Sequence, residues 1–397
     1  MDHRTGAACE DGNVLHARSL RWFLIGLLVL VNFSVWFGVP DPFWKPKEWM
    51  LFMGAALWMI MGSRGQKRVL FLLPLVLWIS LQTFHLHILP MITRSGRVIV
   101  NPWVWFQWVQ ILILWSLFRD MRSLRREDFK PVWITAGLIG VALSVLMILQ
   151  ALNMDPVLLI GTELFGPIRW LHDNHVVGLM GNSFQAAGCL AVLVPVATSL
   201  GWWWAVIPMI GALVLASSTT SLIAGLVGLL SVLWLNGCRR LVAALFCAGL
   251  FLSWRSCFYG SSLLADRLTI WAQTFRVWSE RFFLEGAGIG TFKLMGIQGP
   301  SIATEAPNAV RWAHNEWMQI GAEIGLVGLL LLLIPLSHIL LKSARSDNRS
   351  TCAFGVLISG LILSLTHIPL HMAPTALILL IALSATIVHL EESPIAN

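Results

Sequence analysis

The sequence predicts an all-α protein that crosses a membrane about twelve times. Of its 397 residues, 57% are hydrophobic and only 12% are charged. Soluble globular domains, in contrast, carry about 25% charged residues. The apolar residues also form blocks of about 16–22, the length that a helix needs to cross about 30 Å of hydrocarbon. A soluble fold of this size is therefore excluded, because the chain has too little polar surface to cover it.

The predicted spans divide the chain into three regions. The spans are residues 20–38, 47–62, 67–84, 101–118, 131–150, 177–198, 201–216, 218–236, 240–254, 317–341, 352–370 and 372–390. Nine of them lie in a first helical region, 1–254, and three lie in a C-terminal helical region, 317–397. Between these regions lies a long loop, 255–316, which we expect to carry the catalytic motifs.

Lys and Arg residues indicate the orientation, because they concentrate in the cytoplasmic loops of membrane proteins. With the N-terminus in the cytoplasm, the cytoplasmic segments hold 16 of these residues and the short external loops hold 5. The loop 255–316 and a shorter segment, 151–176, then lie on the outer side. The net charge of +7 follows from this flanking pattern, so it does not indicate a nucleic acid as partner.

The long loop contains a helical pattern that argues against disorder. After Leu264, apolar residues recur at every third or fourth position, which is typical of one face of a helix. This stripe consists of Leu268, Trp271, Phe275, Trp278 and Phe282. We expect an amphipathic helix that rests on the outer membrane–water interface.

Three alternating glycines follow this helix, at Gly286, Gly288 and Gly290. Glycine adopts positive φ without strain and lets the backbone come close to another group. No predicted strand precedes the glycines, so a dinucleotide-binding motif is not supported. Two interpretations stay open, namely a turn that approaches a ligand and a tight turn at the end of the interfacial helix.

A polar cluster begins at His314, where the last helical region starts. Three polar residues follow on one helix face: Glu316, Gln319 and Glu323. Glu323 falls inside an apolar span, where a carboxylate is costly and indicates a functional site or a buried polar pair. In the second case its partner would be a residue such as Asn182 or the serines of 217–221.

Arg267 lies at the headgroup level of the outer leaflet. Its guanidinium is always charged and suits a lipid phosphate, although ordinary contact with headgroups is the alternative. The shorter external segment adds four polar residues, Arg169, His172, Asp173 and His175. Its two histidines lack a third ligand, so we predict no metal site. His367 and His371 flank another external turn, and we interpret them as interfacial packing residues.

Four short motifs now stand in a fixed order between residues 266 and 328. They are Arg267-x3-Trp271, Gly286-x-Gly288-x-Gly290-x-Phe292, His314-Asn315 and Glu323-x-Gly325-x-x-Gly328. In this order, in a large external loop between late helices, they resemble the motifs of the O-antigen ligase and O-antigen polymerase superfamily. The hydropathy layout supports this resemblance across most of the chain.

The resemblance implies a membrane glycosyltransferase that needs no metal and no other cofactor. Such enzymes work in the lipid bilayer, on the periplasmic face of the bacterial inner membrane. They move a glycan from undecaprenyl diphosphate to an acceptor hydroxyl, which belongs to lipid A-core in ligases and to a growing glycan in polymerases. Arg267 matches the arginine that engages the donor diphosphate, and His314 matches the histidine proposed to act on the acceptor.

The expected chemistry needs these residue types. A diphosphate leaving group needs a cation to stabilise its developing charge, and an acceptor hydroxyl benefits from a general base such as histidine. We expect eight further residues to bind substrate, some by position and some by membership of the motifs. They are Arg169, Asn182, Trp271, Gly288, Gly290, Arg311, Asn315 and Glu323.

The sequence departs from the family pattern in two places. Phe184 stands where members often have the second Asn of a Gly-Asn-x-Asn pattern, and turn 217–221 lacks the Arg of a Ser-Arg pair. Another residue must replace that Arg, or the donor differs.

The Arg-x3-Trp and His-Asn motifs favour a ligase over a polymerase. Two other classes stay open: a non-catalytic scaffold, and a transporter of a small anion or lipid-linked sugar, whose charges would lie near the membrane midplane.

Overall fold

The computed structural model describes residues 4–35, 44–62, 102–157, 176–239, 242, 261–292, 295, 297, 310, 312–346 and 350–392. Every regular element within these ranges is helical, with no strand among them, so the all-α prediction is confirmed. The α-helices are α1 (Arg4–Phe33), α2 (Trp44–Gly62), α3 (Pro102–Met121), α4 (Arg126–Ala151), α5 (Ser183–Ser199), α6 (Trp203–Leu215), α7 (Thr219–Leu235), α8 (Ser261–Arg281), α9 (Glu316–Arg345), α10 (Thr351–Leu363) and α11 (Ala373–Glu391). A 3₁₀ turn, Pro369–His371, lies between α10 and α11.

Among the described residues, four helices are long and apolar enough to cross a membrane, namely α4, α9, α11 and the Val14–Phe33 part of α1. Helices α5, α6, α7 and α10 are apolar but shorter, with 13 to 17 residues. The predicted spans at 67–84 and, apart from residue 242, at 240–254 lie outside the described residues. The chain is therefore a helical membrane protein, while the count of twelve spans stays a prediction.

Two predicted boundaries were wrong for local reasons. The span predicted at 177–198 begins later, at Ser183, because Gly178 and Gly181 have positive φ and Asn182 then caps the helix. The span predicted at 352–370 ends early, at Leu363, and Pro369 starts the 3₁₀ turn. Proline has no backbone N–H to continue a helix.

Helix α5 forms the centre of the bundle, since each residue from Ala186 to Thr198 is buried. It packs against α4, α6, α7 and α10. Small residues bring these helices together: a Cβ added at Gly228 of α7 would lie 3.0 Å from the carbonyl oxygen of Gly355 in α10. Small residues are typical of helix interfaces in membranes, where the hydrophobic effect contributes little to helix association.

Ionic contacts join the helix ends at one end of the bundle. The Arg21 guanidinium lies 3.2 Å from the Asp128 carboxylate and thereby ties α1 to the start of α4. Arg122, just after α3, forms an ion pair with Glu391 at the end of α11. The predicted topology assigns all these residues to the cytoplasm, and the structure places them together, at the end opposite the site described below.

Helix α8 packs against α9 around a small separate core. The core residues are Ile270, Trp278, Phe292, Ile297, Ala313 and Ala322. The predicted apolar stripe was only partly right, because Leu268 and Phe275 are more than half exposed. The side of α8 that faces α9 runs through Ile270, Thr274 and Trp278 instead. The amphipathic helix is thus a packed element of the loop, with two large apolar side chains left on its surface.

Candidate active site

Helix α9 is broken at Gly325, and the segment after α8 fills the break. Gly325 has φ of +72°, and a Cβ there would lie 2.2 Å from the carbonyl oxygen of Leu284. The amide of Leu326 donates to the carbonyl of Phe283 at 2.8 Å, instead of bonding within the helix. Only glycine fits this position, since any side chain would meet the incoming backbone. Residues 316–324 therefore form a short helical segment above the break.

The glycine turn docks on this short segment through its backbone. The amides of Ala287 and Gly288 donate to the carbonyls of Ala322 and Glu323, at 2.9 and 2.8 Å. Gly286 lies so close that an added Cβ would be 2.4 Å from the Glu323 carbonyl oxygen. All three glycines have positive φ. The close approach that the alternating glycines indicate is thus made to α9, and the role of Gly288 and Gly290 in substrate binding stays a prediction.

Glu323 fixes the second half of the turn through its side chain. Its carboxylate accepts hydrogen bonds from the amides of Gly290, at 2.8 Å, and Phe292, at 3.3 Å. The side chain is almost completely buried. Hydrogen bonds to a buried carboxylate offset the cost of removing it from water. Its partners are thus the glycine turn and Gln319, and not Asn182 or the serines of 217–221 that the sequence suggested.

A chain of buried polar groups continues from Glu323 to the start of α9. The Gln319 amide nitrogen lies 3.4 Å from Glu323 and 3.4 Å from Nε2 of His371. Nδ1 of His371 lies 2.9 Å from the Glu316 carboxylate. Burial lowers the pKa of His371, but the carboxylates of Glu316 and Glu323 more than offset this effect, and the pKa lies above its ordinary value.

His314 lies between backbone groups that are held from several sides. It has φ of +51°, a conformation that costs a non-glycine residue energy and that clusters at functional sites. The preceding residue, Ala313, donates its N–H to Gln319 at 3.1 Å and accepts from the indole of Trp271 at 2.9 Å. The following Asn315 caps α9 and donates its amide to the Leu365 carbonyl at 2.9 Å. These bonds fix the backbone on either side of His314.

Arg267 and His314 share the site with Phe184 and His367. The Arg267 guanidinium carbon lies 5.6 Å from the centre of the Phe184 ring, which in turn lies 6.1 Å from the His367 ring. Burial lowers the pKa of His314, and the nearby positive charge of Arg267 lowers it further. Burial also lowers the pKa of the half-buried Arg267 guanidinium. The charge of Arg267 thus acts on His314, although 47 positions in the sequence separate them.

The other predicted site residues have different positions. Trp271 and Asn315 hold the backbone on either side of His314, as described above. Asn182 is exposed and caps α5, where its side chain accepts the amide of Phe184 at 2.8 Å. This cap places Phe184 beside Arg267. Arg169 and Arg311 lie outside the described residues, and their predicted role in binding substrate stays a prediction.

The sequence did not predict the polar surroundings of His367 and His371. Both were interpreted as packing residues at the interface, but His371 pairs with Glu316 and His367 lies beside Arg267 and His314. Their spacing around Pro369, at the end of an apolar span, was the available signal. It carried no information on partners, because those come from distant parts of the chain.

Metal-ligand geometry is not found in the described part of the chain, where no three His, Cys, Asp or Glu side chains come together. His172, Asp173 and His175 lie outside that part.

The fold and site together define a helical membrane protein with a buried polar site at one end of its bundle. Residues 204–333 match the family model described as O-antigen ligase. This segment includes Arg267, His314, the glycine turn and Glu323. This match, over part of the chain, supports the resemblance to the O-antigen ligase and polymerase superfamily, whose members are glycosyltransferase-like membrane proteins. No curated protein matches the chain.

Proposed function

We propose that this protein transfers a glycan from undecaprenyl diphosphate to an acceptor hydroxyl on the outer face of the bacterial inner membrane. The observation that carries the proposal is that the Arg267 guanidinium, which lies beside Phe184, is near enough to the His314 imidazole to act on it electrostatically. One group suits an anionic leaving group and the other suits a hydroxyl nucleophile. The match to the O-antigen ligase family model supports a lipid-linked glycan as donor and a glycan as acceptor.

Arg267 acts on the donor. In the transfer step the acceptor oxygen forms a bond to the anomeric carbon, and the bond from that carbon to the phosphate oxygen breaks. The electron pair stays with undecaprenyl diphosphate, so negative charge grows on its oxygens. A guanidinium that is already in place stabilises this charge without reorganisation, and more strongly in a half-buried site than in water.

His314 acts on the acceptor. It removes the hydroxyl proton as the new bond forms, which requires that the imidazole is neutral. Burial and the neighbouring Arg267 both lower the pKa of His314 below its ordinary value of about 6.5. The base is therefore neutral at neutral pH. The bonds to Ala313 and Asn315 fix the backbone that carries this base, which limits its displacement from the acceptor.

Within the superfamily we propose the ligase activity, with lipid A-core as acceptor. The matching family model is the one described as O-antigen ligase, which favours this choice. A polymerase would use the same donor and the same two residues, but would add the glycan to a growing chain. The products distinguish the two activities, since a ligase modifies lipid A-core and a polymerase yields a ladder of glycan lengths.

The test is transfer by the purified protein in lipid vesicles, with an undecaprenyl diphosphate-linked oligosaccharide as donor. Lipid A-core and the donor itself serve as alternative acceptors, and a chelator is present to remove metals. We expect the wild type to modify lipid A-core, and Arg267→Ala and His314→Ala to lose about 100-fold or more of the activity. Failure of the chelated protein, rescued by a divalent metal, would contradict metal independence alone.

Two residues offer matched controls. Arg276 lies on the same helix as Arg267 but is exposed and pairs only with Glu280. His338 is an exposed histidine of α9. Arg276→Ala and His338→Ala should keep activity close to that of the wild type. Equal transfer by all five proteins, or no transfer by the wild type to any acceptor, would refute the proposed function.

A further inference from the structure

His367 has a buried ring nitrogen to which none of the described residues forms a hydrogen bond. The residue lies in the segment between α10 and the 3₁₀ turn and is 5% exposed. Its Nε2 has no hydrogen-bond partner among the described residues. A buried polar atom without a partner is uncommon and costs free energy, so each case calls for an explanation.

This nitrogen belongs to the side chain that completes the site. The centre of the His367 ring lies 6.1 Å from that of Phe184, the same ring that Arg267 contacts. The charges of Arg267 and His314 both act on His367, so all three residues lie within electrostatic reach of one another. Packing against Phe184 alone would be served equally well by an apolar side chain, which would leave no nitrogen unpaired.

The surroundings of His367 restrict what it can bind. Burial lowers the pKa of His367 to about 3, with further lowering by Arg267 and His314. The imidazole is therefore neutral at any physiological pH. It adds no second positive charge for a diphosphate, and it is too weak a base to take the acceptor proton. What is left is one hydrogen bond from a neutral ring nitrogen. A hydroxyl group suits either tautomer, because it both donates and accepts.

We propose that Nε2 of His367 hydrogen-bonds a sugar hydroxyl of the substrate held between Arg267 and His314. This proposal rests on the proposed function and adds a specificity residue to it. His367 lies outside residues 204–333, so the match to the family model does not include it. A site that bonds a substrate hydroxyl discriminates against sugars that lack it, because the nitrogen then stays unpaired.

Binding measurements test this proposal without turnover. Three probes are titrated onto the purified protein: a short-chain polyprenyl diphosphate, the same compound carrying an oligosaccharide, and free lipid A-core oligosaccharide. His367→Phe removes the nitrogen and keeps an aromatic ring against Phe184. His367→Gln keeps an amide at the distance of Nε2. His338→Phe makes the same change at an exposed histidine, and Arg267→Ala reports on the diphosphate.

We expect His367→Phe to weaken one of the two sugar-bearing probes by about three- to tenfold, the effect of one neutral hydrogen bond. The affected probe identifies whether the hydroxyl belongs to the donor or to the acceptor. Binding of the sugar-free polyprenyl diphosphate should not change, whereas Arg267→Ala should weaken it. His367→Gln and His338→Phe should stay within twofold of the wild type for all three probes.

Several results would overturn the proposal. One is wild-type affinity of His367→Phe for both sugar-bearing probes. Another is equal weakening of all three probes, which would indicate a structural or phosphate-binding role. If His367→Phe does not fold, loss of sugar binding in well-folded His367→Gln decides against the proposal. Wild-type protein that binds neither sugar-bearing probe refutes the proposed function itself, and the role of His367 with it.

Discussion

The carboxylate of Glu323 accepts a hydrogen bond of 2.8 Å from the backbone amide of Gly290, which lies 33 residues earlier in the chain. This bond joins α9 to the glycine turn. It also explains why a carboxylate lies in an otherwise apolar segment. Glu323 is thus a positioning residue. A hydrogen-bonded connection runs from it through Gln319 to the backbone of Ala313, beside His314.

Replacing Glu323 by Gln should loosen the glycine turn. The amide has one acceptor oxygen, whereas the carboxylate serves the amides of both Gly290 and Phe292. A buried N–H left without a partner costs about 1–3 kcal/mol, so we expect a lower unfolding temperature and reduced transfer. Glu280→Gln changes an exposed glutamate of α8 and should alter neither. The measurement is the thermal unfolding of the two purified variants. Equal unfolding temperatures for Glu323→Gln and Glu280→Gln would contradict the positioning role of Glu323.

Gly325→Ala should prevent correct packing of the loop on α9. The new methyl group would lie 2.2 Å from the Leu284 carbonyl oxygen, on backbone whose φ is positive. We expect the variant to be poorly folded or inactive. Gly211→Ala is the matched control, since nothing lies within 4 Å of its added Cβ and alanine favours a helix more than glycine does. Yield of monodisperse protein and transfer activity are the measurements, and a fully active Gly325→Ala would show that the break is not needed.

Gln319→Met should lower kcat while the KM for the donor stays unchanged. Methionine has a similar size but does not accept the Ala313 amide, so His314 loses one of the bonds that fix its backbone. Misplacement of a catalytic group costs roughly ten- to hundredfold in rate. The acid limb of the pH–rate profile should also move towards the ordinary pKa of histidine, as His314 becomes less buried. A purely structural role of Gln319 would lower activity but leave the pH profile where it is.

The pH dependence of transfer follows from the neutral form of His314. Activity should be full above the pKa of His314 and should fall as the pH drops through it, because the imidazolium accepts no proton. Since burial and Arg267 lower this pKa, the loss should occur below pH of about 6.5. In the weakly active Arg267→Gln, the acid limb should move to higher pH, because one cause of the lowering is gone. Arg276→Gln should not move it, and identical limbs in all three proteins would contradict the coupling.

Cysteine labelling tests the predicted orientation. Cys238 is exposed at the end of the bundle that we assign to the cytoplasm. Leu152 is exposed just after α4, at the other end. Two single-cysteine proteins are compared in cells with a membrane-impermeant maleimide. The protein with the substitution Leu152→Cys should be labelled in intact cells. The protein that retains only Cys238 should be labelled only after the membrane is permeabilised. The reverse pattern would place the site in the cytoplasm and rule out the proposed donor.

Sequence alone predicted the parts of this protein that depend on local patterns. Apolar blocks indicated the helices, and the order of motifs brought forward Arg267 and His314. The partner of Glu323 was not predicted, because the sequence of the glycine turn does not show which distant side chain its amides bind. His367 was undervalued for the same reason, since its importance comes from an unpaired nitrogen and from neighbours on α5, α8 and the loop before α9. Long-range contacts of this kind follow from tertiary packing.

The break at Gly325 also sets how the protein fits its bilayer. The part of α9 below the break, from Leu326 to Arg345, has 20 residues and is about 30 Å long, which equals the thickness of a typical hydrocarbon layer. A span of this length would leave Glu316, Gln319 and Glu323 above the acyl chains, at the depth of the diphosphate of the proposed donor. Lipids with longer or shorter chains would tilt α9 or deform the bilayer around it. We therefore expect the transfer rate to depend on acyl-chain length, even when donor and acceptor are unchanged.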